Sequence, residues 1–62
     1  MLITEEIATK VRVKRAIQTL GKVETAKTLR VTPPTLAKIE KGNYDAPKRI
    51  YESVMNWLIK DL

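Results

Sequence analysis

Cysteine, histidine and phenylalanine are all absent from this 62-residue chain. Without cysteine no disulfide can form, and without cysteine or histidine there is no zinc site of the usual sulfur and imidazole kind. We therefore predict neither a metal nor any other cofactor. The lack of disulfides suits a reducing compartment, so we expect a cytoplasmic protein.

Long apolar runs and glycine-rich loops are missing too. No stretch approaches the roughly 20 consecutive apolar residues that cross a membrane, and residues 1–6 lack the basic and apolar parts of a signal peptide. The chain has no glycine-rich phosphate loop, no serine nucleophile elbow and no carboxylate pair suited to a concave catalytic surface. We therefore predict no membrane association and no enzymatic activity.

Positive charge is what the chain has in excess. It carries 12 Lys+Arg against 7 Asp+Glu, a net charge of +5. Between residues 10 and 30 Glu24 is the only acid, and the bases are Lys10, Arg12, Lys14, Arg15, Lys22, Lys27 and Arg30. Clustered positive charge suits a polyanionic partner, although a merely solvated basic surface gives the same pattern.

Glycine and proline divide the chain into four segments, none with the two-residue alternation of a strand. The first helix is predicted over Thr4–Leu20, with Thr4 as N-cap and Gly21 as the C′ residue. Its apolar residues form two offset faces, so it is either buried on two sides or broken near residues 11–13. A short second helix is predicted over Val23–Leu29.

The third helix is predicted over residues 33–41, capped by Thr32 and ended by Gly42, and the C-terminal helix over about 46–61. Leu36, Ile39 and the stem of Glu40 should lie on the inner side of the third helix. We therefore predict a single domain, residues 1–62, with an all-α fold of four helices, or five if the first one breaks.

The segment 22–41 has the spacing of a helix-turn-helix. Ala26 is small enough for two helices to cross closely, and the apolar residues Leu29, Val31, Leu36 and Ile39 would fix the crossing. The outer face of the second helix of this pair would then enter the DNA major groove. We also expect Glu40 to form a structural salt bridge and Tyr44 to pack beneath the following loop.

At these residues the chain resembles the phage Cro/repressor and Xre-like family of helix-turn-helix regulators. The resemblance covers residues 11–42 and rests on Gly21, Thr25-Ala26-Lys27, Leu29, Val31, Leu36, Lys38 and the ending Ile39-Glu40-Lys41-Gly42. It implies a sequence-specific regulator of transcription in a bacterial or phage-infected host, which would block or recruit polymerase. Because the Cro branch often continues in strands whereas residues 47–62 are predicted helical, we expect a lambda-repressor-like bundle.

Residue roles follow from the motif and its charges. The expected base contacts are Thr32, Pro34, Thr35, Ala37, Lys38 and Lys41. The expected phosphate contacts are Lys22, Lys27, Arg30, Arg15 and Lys14.

Three departures from the family's pattern, which involve four residues, leave the specificity open. Lys22 replaces a frequent glutamine, and Pro33 and Pro34 replace the glutamine or serine that often faces bases. Arg30 stands where the tight turn often has glycine, so either it adopts a positive φ or the turn differs.

We expect a homodimer on double-stranded DNA, with half-sites roughly 34 Å apart. The apolar residues assigned to either the dimer interface or the core are Met55, Trp57, Leu58 and Leu62. One alternative is a protein-interaction adaptor or antirepressor that uses the same fold and this C-terminal surface. Another is a non-specific basic protein, although the absence of aromatic residues before Tyr44 argues against single-strand stacking.

Overall fold

The structure, a computed structural model, describes residues 1–60 and is mostly helical. Its elements in chain order are β1 (Leu2–Ile3), α1 (Glu5–Ile17), α2 (Lys22–Leu29), α3 (Pro33–Lys41), β2 (Tyr44–Asp45) and α4 (Lys48–Ile59). The prediction of four helices is confirmed for the described part of the chain, in which no helix is long and apolar enough to cross a membrane.

The prediction of an all-α fold is wrong in one respect. Strands β1 and β2 pair antiparallel, with Leu2 opposite Asp45 and Ile3 opposite Tyr44. Each strand has two residues, too few to show an alternating pattern in the sequence. Because Ile3 is fully buried, this pair ties the start of the chain to the segment that follows α3.

Helix α1 is continuous through residues 11–13, so the predicted alternative of a break there is wrong. Thr4 caps it as predicted, and its side chain accepts a hydrogen bond from the Ile7 amide. The helix ends at Ile17, before the predicted Leu20, because Thr19 adopts a left-handed conformation (φ 53°). Gly21 is therefore not the C′ residue of α1 but the N-cap of α2.

The end of α1 is a Schellman motif without glycine. The Thr19 amide donates to the Ala16 carbonyl, and the Leu20 amide donates to the Arg15 carbonyl. Threonine in a left-handed conformation costs about 1–2 kcal/mol relative to glycine. The two amide bonds, and the packing of Leu20 against the core, offset this cost.

The second apolar face of α1 is exposed rather than buried. Val13 is 51% exposed and Ile17 is 77% exposed, whereas Ala8 and Val11 are fully buried. Neither alternative derived from the sequence holds, because the helix is continuous and buries one face. Val13 and Ile17 line an open groove of about 440 Å³ together with Leu58 of α4.

One core joins all four helices and β1. Its buried members are Ile3, Val11, Ala26, Leu29, Leu36, Ile39, Ala46, Ile50, Val54 and Trp57. Trp57 is 7% exposed, so of the two roles predicted for it the structure supports the core. Met55 and Leu58 are half-buried, and the predicted Leu62 lies outside the described residues.

Helix α4 begins at Lys48, with Pro47 as its N-cap residue. Asp45, whose side chain is of a type that often caps helices, instead belongs to β2, and Ala46 is buried in the core. These two residues are therefore fixed by the sheet and the core before the helix starts. The predicted end of the helix at residue 61 lies outside the described residues.

Candidate nucleic-acid interface

Helices α2 and α3 are joined by a tight turn at Arg30, Val31 and Thr32. Arg30 is left-handed, with φ 58° and ψ 43°. Its amide donates to the Lys27 carbonyl (3.1 Å), and the Val31 amide donates to the Ala26 carbonyl (2.9 Å). This is a second Schellman motif, so of the two alternatives for Arg30 the positive φ is the one observed.

The two sides of α3 differ as the sequence predicted. Leu36, Ile39 and Glu40 are buried. This inner side packs against α1 and α2. The outer side is exposed and consists of Pro33, Pro34, Ala37, Lys38 and Lys41. The buried residues therefore fix the rotation of the helix, and the exposed ones form the surface on which we base the candidate interface.

The first turn of α3 has its hydrogen bonds internally satisfied. Thr32 Oγ1 accepts from the Thr35 amide (3.4 Å) and lies 3.0 Å from Thr35 Oγ1. Pro33 and Pro34 have no N–H group at all. The first three helical residues, 33–35, therefore have no backbone amide left for a phosphate. Thr32 and Thr35, both predicted to contact bases, are hydrogen-bonded to each other.

Glu40 forms the predicted salt bridge, and it does so from a buried position. The Arg15 Nε atom of α1 donates to Glu40 Oε2 at 2.7 Å. Arg12, also on α1, donates to the backbone carbonyl of Glu40 at 2.7 Å. Two arginines thus bind α1 to one residue of α3, and they hold α3 from the side opposite its exposed face.

Two of the predicted phosphate contacts have partners inside the molecule. Arg15 is bound to Glu40, and Lys14 donates to the Trp57 carbonyl of α4. The Lys14 amino nitrogen also lies 4.6 Å from the centre of the Trp57 ring. The sequence could not reveal this, because both contacts join residues far apart in the chain. The positions of Lys14 and Arg15 favour a role in holding helices together over a role in contacting phosphate.

The other predicted phosphate contacts are exposed. Lys22 is the first residue of α2, and Lys27 lies on the outer face of the same helix. Arg30 is exposed in the turn, but it lies beside α4, where it lines a shallow polar depression with Ser53, Asn56 and Lys60. The structure therefore does not bring all predicted phosphate contacts to one surface.

The sequence missed a concave surface at the C-terminal end of α3. It is lined by Glu5, Lys38, Lys41, Gly42, Asn43 and Tyr44. The Lys38 amino nitrogen lies 6.0 Å from the centre of the half-buried Tyr44 ring. Tyr44 was predicted to pack beneath the loop, and in the structure it packs against the core.

Glu5 reaches this surface because the chain turns sharply at Gly42. Gly42 has φ 90°, and a Cβ atom there would lie 3.0 Å from the Glu5 Cα atom. The Asn43 side chain then donates to the Glu5 carboxylate at 3.3 Å. An acid thus stands beside the lysines of α3. The sequence alone gives Glu5 only a favourable position at the N-terminal end of the α1 dipole, so it did not indicate this approach to α3.

Within residues 1–60 no group of His, Cys, Asp or Glu is arranged to hold a metal ion. Comparisons with protein-family models, with curated proteins and with solved structures found no match to this chain.

Proposed function

We propose that this chain is a cytoplasmic, sequence-specific, double-stranded DNA-binding regulator of the Cro/repressor and Xre-like type, in which α2 and α3 form a helix-turn-helix. The observation that carries the proposal is the exposed outer face of α3, which bears Lys38 and Lys41. A single helix fits the DNA major groove, which is about 12 Å wide. Because the inner side of α3 is packed against α1 and α2, the helix would enter the groove as a rigid element.

The rigid support of α3 also favours this function. The helix is held by a buried apolar side, by Arg15 on the Glu40 carboxylate and by Arg12 on the Glu40 carbonyl. A recognition element fixed before binding loses little conformational entropy when DNA arrives. This degree of fixation favours base recognition over a loose electrostatic attachment.

We assign the phosphate contacts to the exposed basic residues of α2. Lys22 and Lys27 lie on the helix that precedes α3 and are exposed. Such contacts set the position of a protein on the duplex without carrying sequence information. The net charge of +5 adds a salt-dependent attraction that is independent of sequence.

We extend the proposal to a homodimer on DNA. The protomer measures 26 × 23 × 18 Å between Cα extremes, which is less than one DNA helical turn of roughly 34 Å. Two copies therefore fit on adjacent half-sites of one duplex face. The exposed groove of Val13, Ile17 and Leu58 is the apolar surface that we assign to the contact, in place of the buried Trp57.

The same groove supports the second candidate function, a protein-interaction adaptor or antirepressor. Exposed aliphatic side chains four residues apart on a helix suit an apolar partner surface. Under this alternative the outer face of α3 would be a solvated surface without a ligand.

Selection from a pool of random duplexes at near-physiological salt, about 0.15 M, separates the two candidates. The regulator predicts enrichment of a two-fold-symmetric motif, and the spacing of its halves gives the dimer geometry directly. The absence of any enriched motif, with a folded protein shown by circular dichroism, would contradict it and favour the adaptor.

A further inference from the structure

We propose that α3 recognises base pairs with two chemically different halves. Pro34 and Ala37, in the N-terminal half, contact the 5-methyl groups of thymines. Lys38 and Lys41, in the C-terminal half, donate to the N7 and O6 acceptors of guanines. The inference rests on the proposed function, because it requires α3 to lie in the major groove.

On the outer side of the N-terminal half of α3, Pro33, Pro34 and Ala37 have no hydrogen-bonding group in their side chains. Pro33 and Pro34 have neither an N–H group nor a polar side chain, and the Thr35 amide is bound by Thr32. The hydroxyl groups of Thr32 and Thr35 bond to each other at 3.0 Å, which leaves at most one proton of this pair for an outside acceptor. This half therefore offers methylene and methyl groups.

An apolar surface in the major groove favours one base over the others. Guanine, adenine and cytosine present acceptors or donors there, whereas thymine adds a methyl group to its single acceptor. Polar base edges pressed against Pro34 or Ala37 would lose their hydrogen bonds to water without replacement, which is unfavourable. The N-terminal half of α3 thus favours thymine because it contacts the methyl group of this base. It disfavours the other bases because their polar edges would lose hydrogen bonds to water.

The C-terminal half of α3 carries the opposite chemistry. The lysine ammonium group donates three hydrogen bonds and accepts none. Its best base partner in the major groove is guanine, which presents two adjacent acceptors. The Lys38 amino nitrogen lies 6.0 Å from the centre of the Tyr44 ring, at the C-terminal end of α3.

Helical spacing places both halves on one line. Residues 34, 38 and 41 follow each other by four and three positions and are all exposed, so they lie on one face of α3. From residue 34 to residue 41 the helix rises about 10 Å, which matches about three base steps of 3.4 Å. We therefore expect each half-site to contain thymine and guanine within about three base pairs of each other.

Base analogues in the selected duplex test this inference. Replacing a contacted thymine with uracil removes only the methyl group and should weaken binding about fourfold, which corresponds to about 0.8 kcal/mol. Replacing the contacted guanine with 7-deazaguanine removes one acceptor and should weaken binding about tenfold. Uracil at thymines outside the half-sites is the matched control and should change nothing.

Two variants test which residue is responsible for the effect of uracil and which for the effect of 7-deazaguanine. Ala37→Gly should bind the thymine and uracil duplexes more nearly alike, and Lys38→Ala should bind the guanine and 7-deazaguanine duplexes alike. Thermal melts confirm that each variant is folded. Each test compares the affinities of one variant for two duplexes. A general loss of affinity leaves the ratio of these two affinities unchanged.

The outcomes distinguish this inference from the function on which it rests. An enriched motif that tolerates both analogues would overturn the division of α3 and leave a DNA-binding regulator. Failure to enrich any motif would overturn the regulator and this inference with it.

Discussion

The basic residues of α1 and those of α3 have opposite surroundings. On α1, Arg12 and Arg15 bind Glu40 of α3, and Lys14 binds the Trp57 carbonyl of α4. On α3, Lys38 and Lys41 are exposed, and the amino group of Lys38 lies near the Tyr44 ring. A cluster of positive charge in the sequence therefore does not locate a polyanion site, because part of it stabilises the fold.

The difference assigns separate tasks to the two helices. Arg12, Lys14 and Arg15 of α1 bind a buried carboxylate and two carbonyl groups, and their loss should reduce the stability of the fold. Within residues 1–60 the basic residues on the outer side of α3, Lys38 and Lys41, form no ion pair, and their loss should reduce DNA affinity with little change in stability. Arg15→Ala and Lys38→Ala test this division, and Gly42→Ala and Arg30→Gly test the turns that bound α3; the expected effects are taken from the largest to the smallest.

Arg15→Ala should lower the free energy of unfolding by about 2–3 kcal/mol, because it leaves the buried Glu40 carboxylate without its charged partner. For a domain of this size the melting temperature should fall by roughly 10–20 °C. Thermal unfolding followed by circular dichroism measures the change.

The matched variant is Arg15→Ala combined with Glu40→Gln, which should recover part of the lost stability because the orphaned charge is gone. An Arg15→Ala protein of unchanged stability and reduced DNA affinity would contradict the division and restore Arg15 as a phosphate contact.

Gly42→Ala should lower stability by about 2 kcal/mol. Its φ of 90° and ψ of 174° are essentially restricted to glycine, and the added Cβ would press on the Glu5 backbone at 3.0 Å. This tests whether the start of α1 and the end of α3 must approach so closely. Gly21→Ala is the control, since nothing lies within 4 Å of its Cβ position, and a comparable loss there would refute the explanation.

Lys38→Ala should weaken binding to the selected duplex about tenfold more than binding to random DNA, with the melting temperature unchanged, because its charge has a base partner only at the cognate site. Lys27→Ala should weaken both alike and reduce the salt dependence by about one unit of slope. Fluorescence anisotropy titrations at several salt concentrations measure both. Equal losses on the two DNAs for Lys38→Ala would remove its base-reading role.

The smallest effect is expected at the turn between α2 and α3. Arg30→Gly should raise the free energy of unfolding by about 0.5–1 kcal/mol, since glycine adopts the left-handed conformation without the Cβ penalty and loses part of this gain to its more flexible unfolded state. Denaturant titration detects the change, and Thr19→Gly offers the same test at the end of α1. A destabilised Arg30→Gly protein would indicate that the arginine side chain itself supports the turn.

The sequence was sufficient where structure depends on neighbouring residues. The caps at Thr4 and Thr32, the helix end at Gly42 and the inner side of α3 were predicted correctly because capping bonds and helical periodicity span only a few positions. Glu40 was assigned to a salt bridge for a similar reason, since an acid beside a predicted buried face needs a partner.

What the sequence missed depends on contacts between distant residues. The pairing of β1 with β2 joins residues that are far apart in the chain, and nothing in a two-residue strand marks it. The same is true of the Lys14 and Arg15 contacts. The end of α1 was misplaced because threonine, rather than glycine, occupies the left-handed position, and the exposure of Val13 and Ile17 follows from the arrangement of α3 and α4.

The central claim is that DNA contacts α2 and the outer face of α3, while Arg12, Lys14 and Arg15 of α1 remain bound to partners inside the molecule. Amide chemical-shift mapping by NMR with the selected duplex tests it most directly. The account predicts the largest changes at Lys22, Ala37, Lys38 and Lys41, with little change at Val13 and Ile17 when duplexes carrying one half-site are used. Changes concentrated on the outer face of α1, with α3 unaffected, would contradict it.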